Sequence, residues 1–133
     1  MKKLTHDIFT YLKEREWDDL KPGDVAKSIS IEAAELLELF QWTNPTLDEF
    51  KKDAEKIEVL KGELADVLIY ALDLAVLLEL DAEKLIRAKL DKITKKYPAH
   101  LFKNKVVGSK KHLDVYLEIK NAHRAKEAKK KRR

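Results

Sequence analysis

Hydrophobic positions along this chain follow helical spacing and not the alternation that is typical of strands. Leu4, Ile8 and Leu12 recur every four residues, which predicts a first helix over roughly residues 2–18. A proline and a glycine at positions 22 and 23 interrupt this pattern. A second helix is predicted from there to about Trp42.

The later part of the chain also predicts helices. The third covers about residues 46–78 and is open to interruption around 57–62. The fourth covers 84–96 and follows an N-cap at Asp81. After a loop over 99–111, a weaker helix is predicted from 112 into the tail. The longest of them is apolar nearly all round between Leu64 and Leu78, with Asp66 and Asp73 as its only charges. A helix of that composition lies in the middle of a core. The sequence therefore predicts an all-α helical bundle, which we expect oligomerisation to complete.

Length and composition fit one mainly helical domain. The chain has 133 residues, enough to bury a core, with only three glycines and three prolines. No apolar run reaches the length of a membrane span, and the charged, amphipathic N-terminal segment is not a signal peptide. We expect no membrane association and a cytoplasmic location, with which the absence of cysteine is compatible.

The net charge of +4 belongs to the C-terminal tail. Residues 120–133 hold eight lysines and arginines against one acid, Glu127, and the rest of the chain has 20 basic and 23 acidic side chains. Any contact with nucleic acid is therefore expected through this tail.

Two pairs of carboxylates are unusual because they lie on apolar helix faces. Glu32 and Glu35 are three residues apart in the second predicted helix, and Glu63 and Asp66 in the third, so each pair shares one face. The first pair has leucines on its face, and the second has Tyr70 with aliphatic residues.

Acids in such surroundings repel one another and are costly to desolvate, so either their pKa values rise or a cation neutralises them. Oxygen ligands favour Mg²⁺, with Mn²⁺ as a substitute, and Mg²⁺ commonly shares its shell with substrate phosphates. The two pairs therefore predict a magnesium site suited to a triphosphate. The spacing alone arises often by chance in a chain that is 39% charged. Glu38, which extends the first row, is either a solvated residue or a further ligand.

Four short segments occur in order within residues 4–98. They are Glu32-Ala33-Ala34-Glu35-Leu36, Phe40-Gln41-Trp42, Glu63-Leu64-Ala65-Asp66-Val67-Leu68-Ile69-Tyr70 and Lys96-Tyr97-Pro98. Together they resemble the MazG-like nucleotide pyrophosphohydrolases, most closely the dCTP pyrophosphatase-like branch. The resemblance implies an all-α bundle assembled as dimers or tetramers, which hydrolyses (d)NTPs to (d)NMP and pyrophosphate. It divides the chain into a catalytic helical domain over 1–98 and a loop with a basic extension over 99–133.

The resemblance also implies residue roles. Mg²⁺ would be held by four acids: Glu32, Glu35, Glu63 and Asp66. Base-contacting aromatic residues match Trp17 and Trp42, although packing at helix ends explains both equally well, and a nucleotide-contacting tyrosine matches Tyr70. Two departures leave the base open: Ile93 stands where the family often has Asn, and the segment from Trp17 to Pro22 is one residue shorter than in dCTP-preferring members.

The predicted mechanism is metal-assisted hydrolysis of a phosphoanhydride. Glu35 or Glu38 would accept the proton of the attacking water. Phosphate contacts are expected from lysines that otherwise form a solvated helix face: Lys89, Lys92 and Lys96. The competing hypothesis is a non-enzymatic nucleic-acid-binding or interaction module that acts through the basic tail. A purely structural bundle would leave the acids on apolar faces unexplained.

Overall fold

The computed structural model describes residues 1–131 and confirms the predicted all-α class, with no strand in that range. Its helices are α1 (Lys2–Lys13), α2 (Pro22–Glu38), α3 (Leu47–Phe50), α4 (Ala54–Leu77), α5 (Ala82–Lys96) and α6 (Lys110–Lys131), with a 3₁₀ turn at Ala99–Leu101. Within the described chain no helix is long and apolar enough to cross a membrane. Arg132 and Arg133 of the predicted basic tail lie outside the described residues.

The chain forms two compact units, of which the first is Met1–Glu83 and the second begins at Lys84. In the first unit, α4 packs against both α1 and α2. The buried hydrophobic side chains of this unit are Ile8, Leu12, Val25, Phe50 and Ala82. In the second unit, the ring of Tyr97 stacks on that of Tyr116 with a centroid distance of 5.3 Å. This contact packs α6 against the segment after α5. The domain boundary placed after residue 98 stays a prediction.

α1 ends five residues before the predicted position. Glu16 adopts a left-handed conformation with φ of 57°, and the backbone N–H of Trp17 donates to the carbonyl of Leu12 at 2.9 Å. Such a reversal closes a helix and turns the chain away from its axis. As a result the Trp17 ring meets the ring of Tyr11 edge-on at 6.0 Å between centroids.

The second and third predicted helices also need correction. α2 ends at Glu38 and not at Trp42, and the interruption of the third helix falls at residues 51–53 and not at 57–62. Capping explains the new position. Thr46 and Glu49 form a reciprocal capping box on the short α3, and the carboxylate of Asp53 accepts the N–H of Lys56 at 3.0 Å to begin α4. The last helix is longer than predicted and begins at Lys110.

The expectation that α4 lies in the middle of a core is only partly correct. Leu64, Leu68 and Ile69 remain 43%, 53% and 43% exposed, because α1 and α2 cover only part of the circumference of α4. The one residue of α4 that is fully buried is a carboxylic acid, Asp73, which is 5% exposed.

Leu12→Ala is expected to lower the free energy of unfolding by about 2–5 kcal/mol, because it removes a leucine that is 1% exposed and leaves a cavity beneath α1. Leu4→Ala, on the same helix but 50% exposed, is the matched control and should cost much less. Urea unfolding followed by circular dichroism measures both. Similar losses for the two variants would show that α1 does not pack through Leu12.

Candidate functional site

Three of the four predicted metal ligands come together where α2 packs on α4. Oxygen atoms of Glu32, Glu63 and Asp66 lie within 4.8 Å of one another. α2 supplies the first residue and α4 supplies the other two, which are one turn apart. Glu32 and Glu63 are half-buried and Asp66 is exposed, whereas Glu35 is an exposed residue one turn further along α2 and lies outside this group.

Burial and mutual repulsion act together on this acid cluster, which consists of Glu32, Glu63 and Asp66. Loss of solvent raises the pKa of Glu32 above its usual value, and the charges of Glu35, Asp66 and Glu63 raise it further. Within residues 1–131 no lysine or arginine forms an ion pair with these acids. A hard cation such as Mg²⁺ fits this donor set, because carboxylate oxygens are its preferred ligands and its charge offsets the repulsion.

A groove of about 810 Å³ adjoins the acid cluster, and Asp66 belongs to both. Aromatic side chains line it from two helices: Tyr11 and Trp17 from α1 and the turn after it, and Tyr70 from α4. Pockets of this size commonly bind small molecules. Flat rings beside a carboxylate cluster suit a ligand that has an aromatic base at one end and metal-binding phosphates at the other.

Two predicted residues of the first unit, Trp42 and Glu38, do not line this groove. Trp42 is 86% exposed in the turn after α2, and Glu38 is exposed at the end of that helix. The three predicted phosphate-binding lysines lie on α5 in the second unit, together with Ile93: Lys89 and Lys92 are exposed, and Lys96 is half-buried with its ammonium 5.3 Å from the ring centre of Tyr97. The roles of these residues stay predictions.

Tyr11 and Asp73 are among the groove residues that sequence reasoning did not single out. The side chain of Asp73 is buried, its Oδ1 has no hydrogen-bond partner, and burial raises the pKa of its carboxyl group. A single charge inside a long apolar helix was the available signal for it. No sequence signal set Tyr11 apart from the other apolar positions of α1.

Comparison with known proteins identifies the family. Residues 27–106, more than half of the chain, match the model of the MazG-like family. The chain belongs to the MazG-like family. The predicted resemblance, including the dCTP pyrophosphatase-like branch, is confirmed by relatives: dCTP pyrophosphatase 1 from Rattus norvegicus and from Homo sapiens are each 33% identical over 101 residues.

Coverage differs between the relatives of this MazG-like chain. The two dCTP pyrophosphatases match 68% of the chain but only 55% of their own length, so the chain spans about half the length of the curated relatives it matches. The crystal structure of a pyrophosphatase from Archaeoglobus fulgidus is 38% identical with a TM-score of 0.63, and the match covers 74% of this chain and 92% of that one. The all-α MazG-like fold is thus shared over nearly the whole archaeal chain.

Glu32→Gln is expected to raise the melting temperature of the metal-free protein at neutral pH. Since the pKa of Glu32 is higher in the folded state than its usual value of 4.5, the folded protein holds this proton more tightly, and stability falls as the pH rises above that value. The difference in melting temperature between the variant and the wild type should disappear below about pH 4.5, where Glu32 is protonated in both the folded and the unfolded state.

Thermal unfolding in EDTA at acidic and neutral pH measures this effect. Glu55→Gln, which removes an exposed acid from the first turn of α4, is the matched control and should not raise the melting temperature. Excess Mg²⁺ should then stabilise the wild type more than Glu32→Gln, because the variant has lost a ligand. Equal melting temperatures of wild type and Glu32→Gln in EDTA at neutral pH would contradict the electrostatic account.

Proposed function

We propose that this protein is a Mg²⁺-dependent nucleoside triphosphate pyrophosphohydrolase that converts a (d)NTP to the (d)NMP and pyrophosphate, in house-cleaning of the nucleotide pool. One observation carries the proposal: the acid cluster of Glu32, Glu63 and Asp66 adjoins an aromatic-lined groove through the shared residue Asp66. Membership of the MazG-like family and the names of the relatives, dCTP pyrophosphatase and pyrophosphatase, support the same reaction.

In this proposal Glu32, Glu63 and Asp66, with Glu35 as a fourth ligand, hold Mg²⁺, for which Mn²⁺ can substitute. Bound there, the cation supplies positive charge that neutralises the phosphate oxygens of the substrate. The carboxylates would hold the cation beside the groove, and the groove would hold the nucleoside. Their joint task is to hold the α-phosphorus in one orientation relative to the attacking water.

The proton of that water needs an acceptor. Glu35 is our candidate because it is exposed and its charge is near enough to Glu32 to raise the pKa of that residue. Glu38, one turn further along α2, is the alternative acceptor. At the other end of the substrate, Trp17 and Tyr70 would orient the base and sugar, because both line the groove and an aromatic ring stacks on any base.

The protein is also proposed to self-associate as a dimer or tetramer. Ile31 and Leu37 of α2 and Leu64 of α4 are 56%, 66% and 43% exposed within the single chain. Exposed aliphatic residues in this number favour an interface between subunits. In such an assembly Trp42, and lysines 89, 92 and 96, could contact substrate bound to a neighbouring subunit.

Glu63→Gln is expected to lower turnover by about 100-fold or more, because it replaces a charged ligand by a neutral amide of the same shape. Glu55→Gln, on the same helix and away from the acid cluster, should keep wild-type turnover. Circular dichroism would verify that both variants keep their helices. Wild-type turnover in Glu63→Gln would remove Glu63 from the site.

A panel of canonical and modified (d)NTPs, incubated with Mg²⁺, Mn²⁺ or EDTA, tests the reaction itself. Monophosphate and pyrophosphate are expected as paired products with either metal and not with EDTA, because the bond between the α and β phosphates is cleaved. Chromatography resolves monophosphate from diphosphate. Release of diphosphate and orthophosphate, or no hydrolysis of any nucleotide, would overturn the proposed function.

A further inference from the structure

Asp73 is a buried acid that the mechanism above does not use. Its side chain is 5% exposed within the first unit, and Oδ1 has no hydrogen-bond partner. Leaving a polar atom unsatisfied in a protein interior costs stability. Asp73 also lines the groove, and a ligand that hydrogen-bonds to its carboxylate would offset this cost.

The position of Asp73 on α4 connects it to the acid cluster. Asp66, Tyr70 and Asp73 follow at intervals of four and three residues and all line the same groove. They therefore share one face of the helix, on which Asp73 lies about 10.5 Å along the axis from Asp66, at 1.5 Å per residue. That separation is comparable to the reach of a nucleotide from its α-phosphate to the outer edge of its base.

The opposite wall of the groove suits a base. Tyr11 and Trp17 stand edge-to-face there, with Leu20 beside them. The guanidinium of Arg15 lies 3.8 Å from the ring centre of Tyr11 and helps to hold this ring in place. A base held between this wall and Tyr70, with its phosphates at Asp66, would have its far edge toward Asp73, because Tyr70 lies between the two acids on α4.

The other polar side chains of the groove do not satisfy Asp73. The hydroxyl of Ser28 donates to the carbonyl of Asp24 at 3.3 Å, and Asp7 is an exposed acid. Among the residues that line the groove, all of them described, there is no lysine or arginine. Asp73 Oδ1 therefore has no hydrogen-bond partner among the polar side chains of the groove.

We propose that Asp73 is the specificity-determining residue for the base, and that its carboxylate accepts a hydrogen bond from an exocyclic amino group. The inference rests on the proposed function and names its substrate class, triphosphates of amino-bearing bases. A carbonyl oxygen at the same position of the base would place acceptor against acceptor in a buried site, which is unfavourable. The pair cytosine and uracil differs in this way, as does the pair adenine and hypoxanthine.

Equilibrium binding of non-hydrolysable analogues tests the inference separately from catalysis. With Mg²⁺ present, calorimetry on the full chain should give a dissociation constant for the α,β-imido analogue of dCTP at least about tenfold lower than for that of dUTP, since one buried hydrogen bond is at stake. In Asp73→Asn the ratio should fall close to one, because an amide can turn either its oxygen or its NH₂ toward the base. Asp48→Asn makes the same chemical change at an exposed position outside the groove and should keep the wild-type ratio.

If Asp73→Asn does not fold, the inference can still be tested by removing the amino group from the base of the ligand. The α,β-imido analogue of 2-pyrimidinone deoxyribonucleoside triphosphate lacks the amino group, and the wild type should bind it about tenfold more weakly than the dCTP analogue. Equal binding of the dCTP and dUTP analogues by the wild type, or an unchanged ratio in folded Asp73→Asn, overturns the role of Asp73. Failure of the proposed function is distinguishable, because the nucleotide panel would then show no monophosphate even where the analogues bind selectively.

Discussion

The packing of α2 against α4 is the interaction on which the rest of this structure depends. It stabilises the first unit through apolar contacts, and in doing so it holds Glu32 against Glu63 and Asp66. Loss of solvent and like charge both disfavour the ionised form of Glu32, so the fold contains a built-in repulsion where its helices meet. Under the proposed function, a cation bound there would relieve this repulsion and stabilise the helix pair.

The groove depends on the same helix through a different neighbour. α1 packs on α4 through buried residues such as Leu12, and its left-handed ending at Glu16 turns Trp17 back toward Tyr11. One face of α4 then serves two purposes, because Asp66 contributes to the acid cluster while Tyr70 and Asp73 line the groove. The acid cluster and the aromatic wall of the groove are therefore spaced by a rigid helix and not by a flexible loop, an arrangement that favours precise placement of a ligand.

The first unit contains the acid cluster and the groove but leaves much apolar surface exposed. Its buried side chains are few, and aliphatic residues on α2 and α4 remain accessible. In the second unit the rings of Tyr97 and Tyr116 stack, although Tyr116 is exposed, and α6 is rich in basic residues. The match covers 92% of the archaeal pyrophosphatase, whereas the dCTP pyrophosphatases carry sequence beyond the part that this chain matches.

The sequence by itself determined the helical class, the family and the two acidic pairs, because helical periodicity and i,i+3 spacing are local properties that can be read without a structure. It misplaced helix ends, since the capping of α3 by Thr46 and the reversal at Glu16 depend on side-chain and backbone geometry. Only the tertiary structure decided which acids meet, because spacing within a helix says nothing about the neighbouring helix. It brought Glu32 to Glu63 and Asp66, left Glu35 outside that group, and showed that Asp73 is a buried, unsatisfied acid in the groove. Burial and hydrogen-bond satisfaction are properties of packing, and packing joins residues that are far apart in the chain.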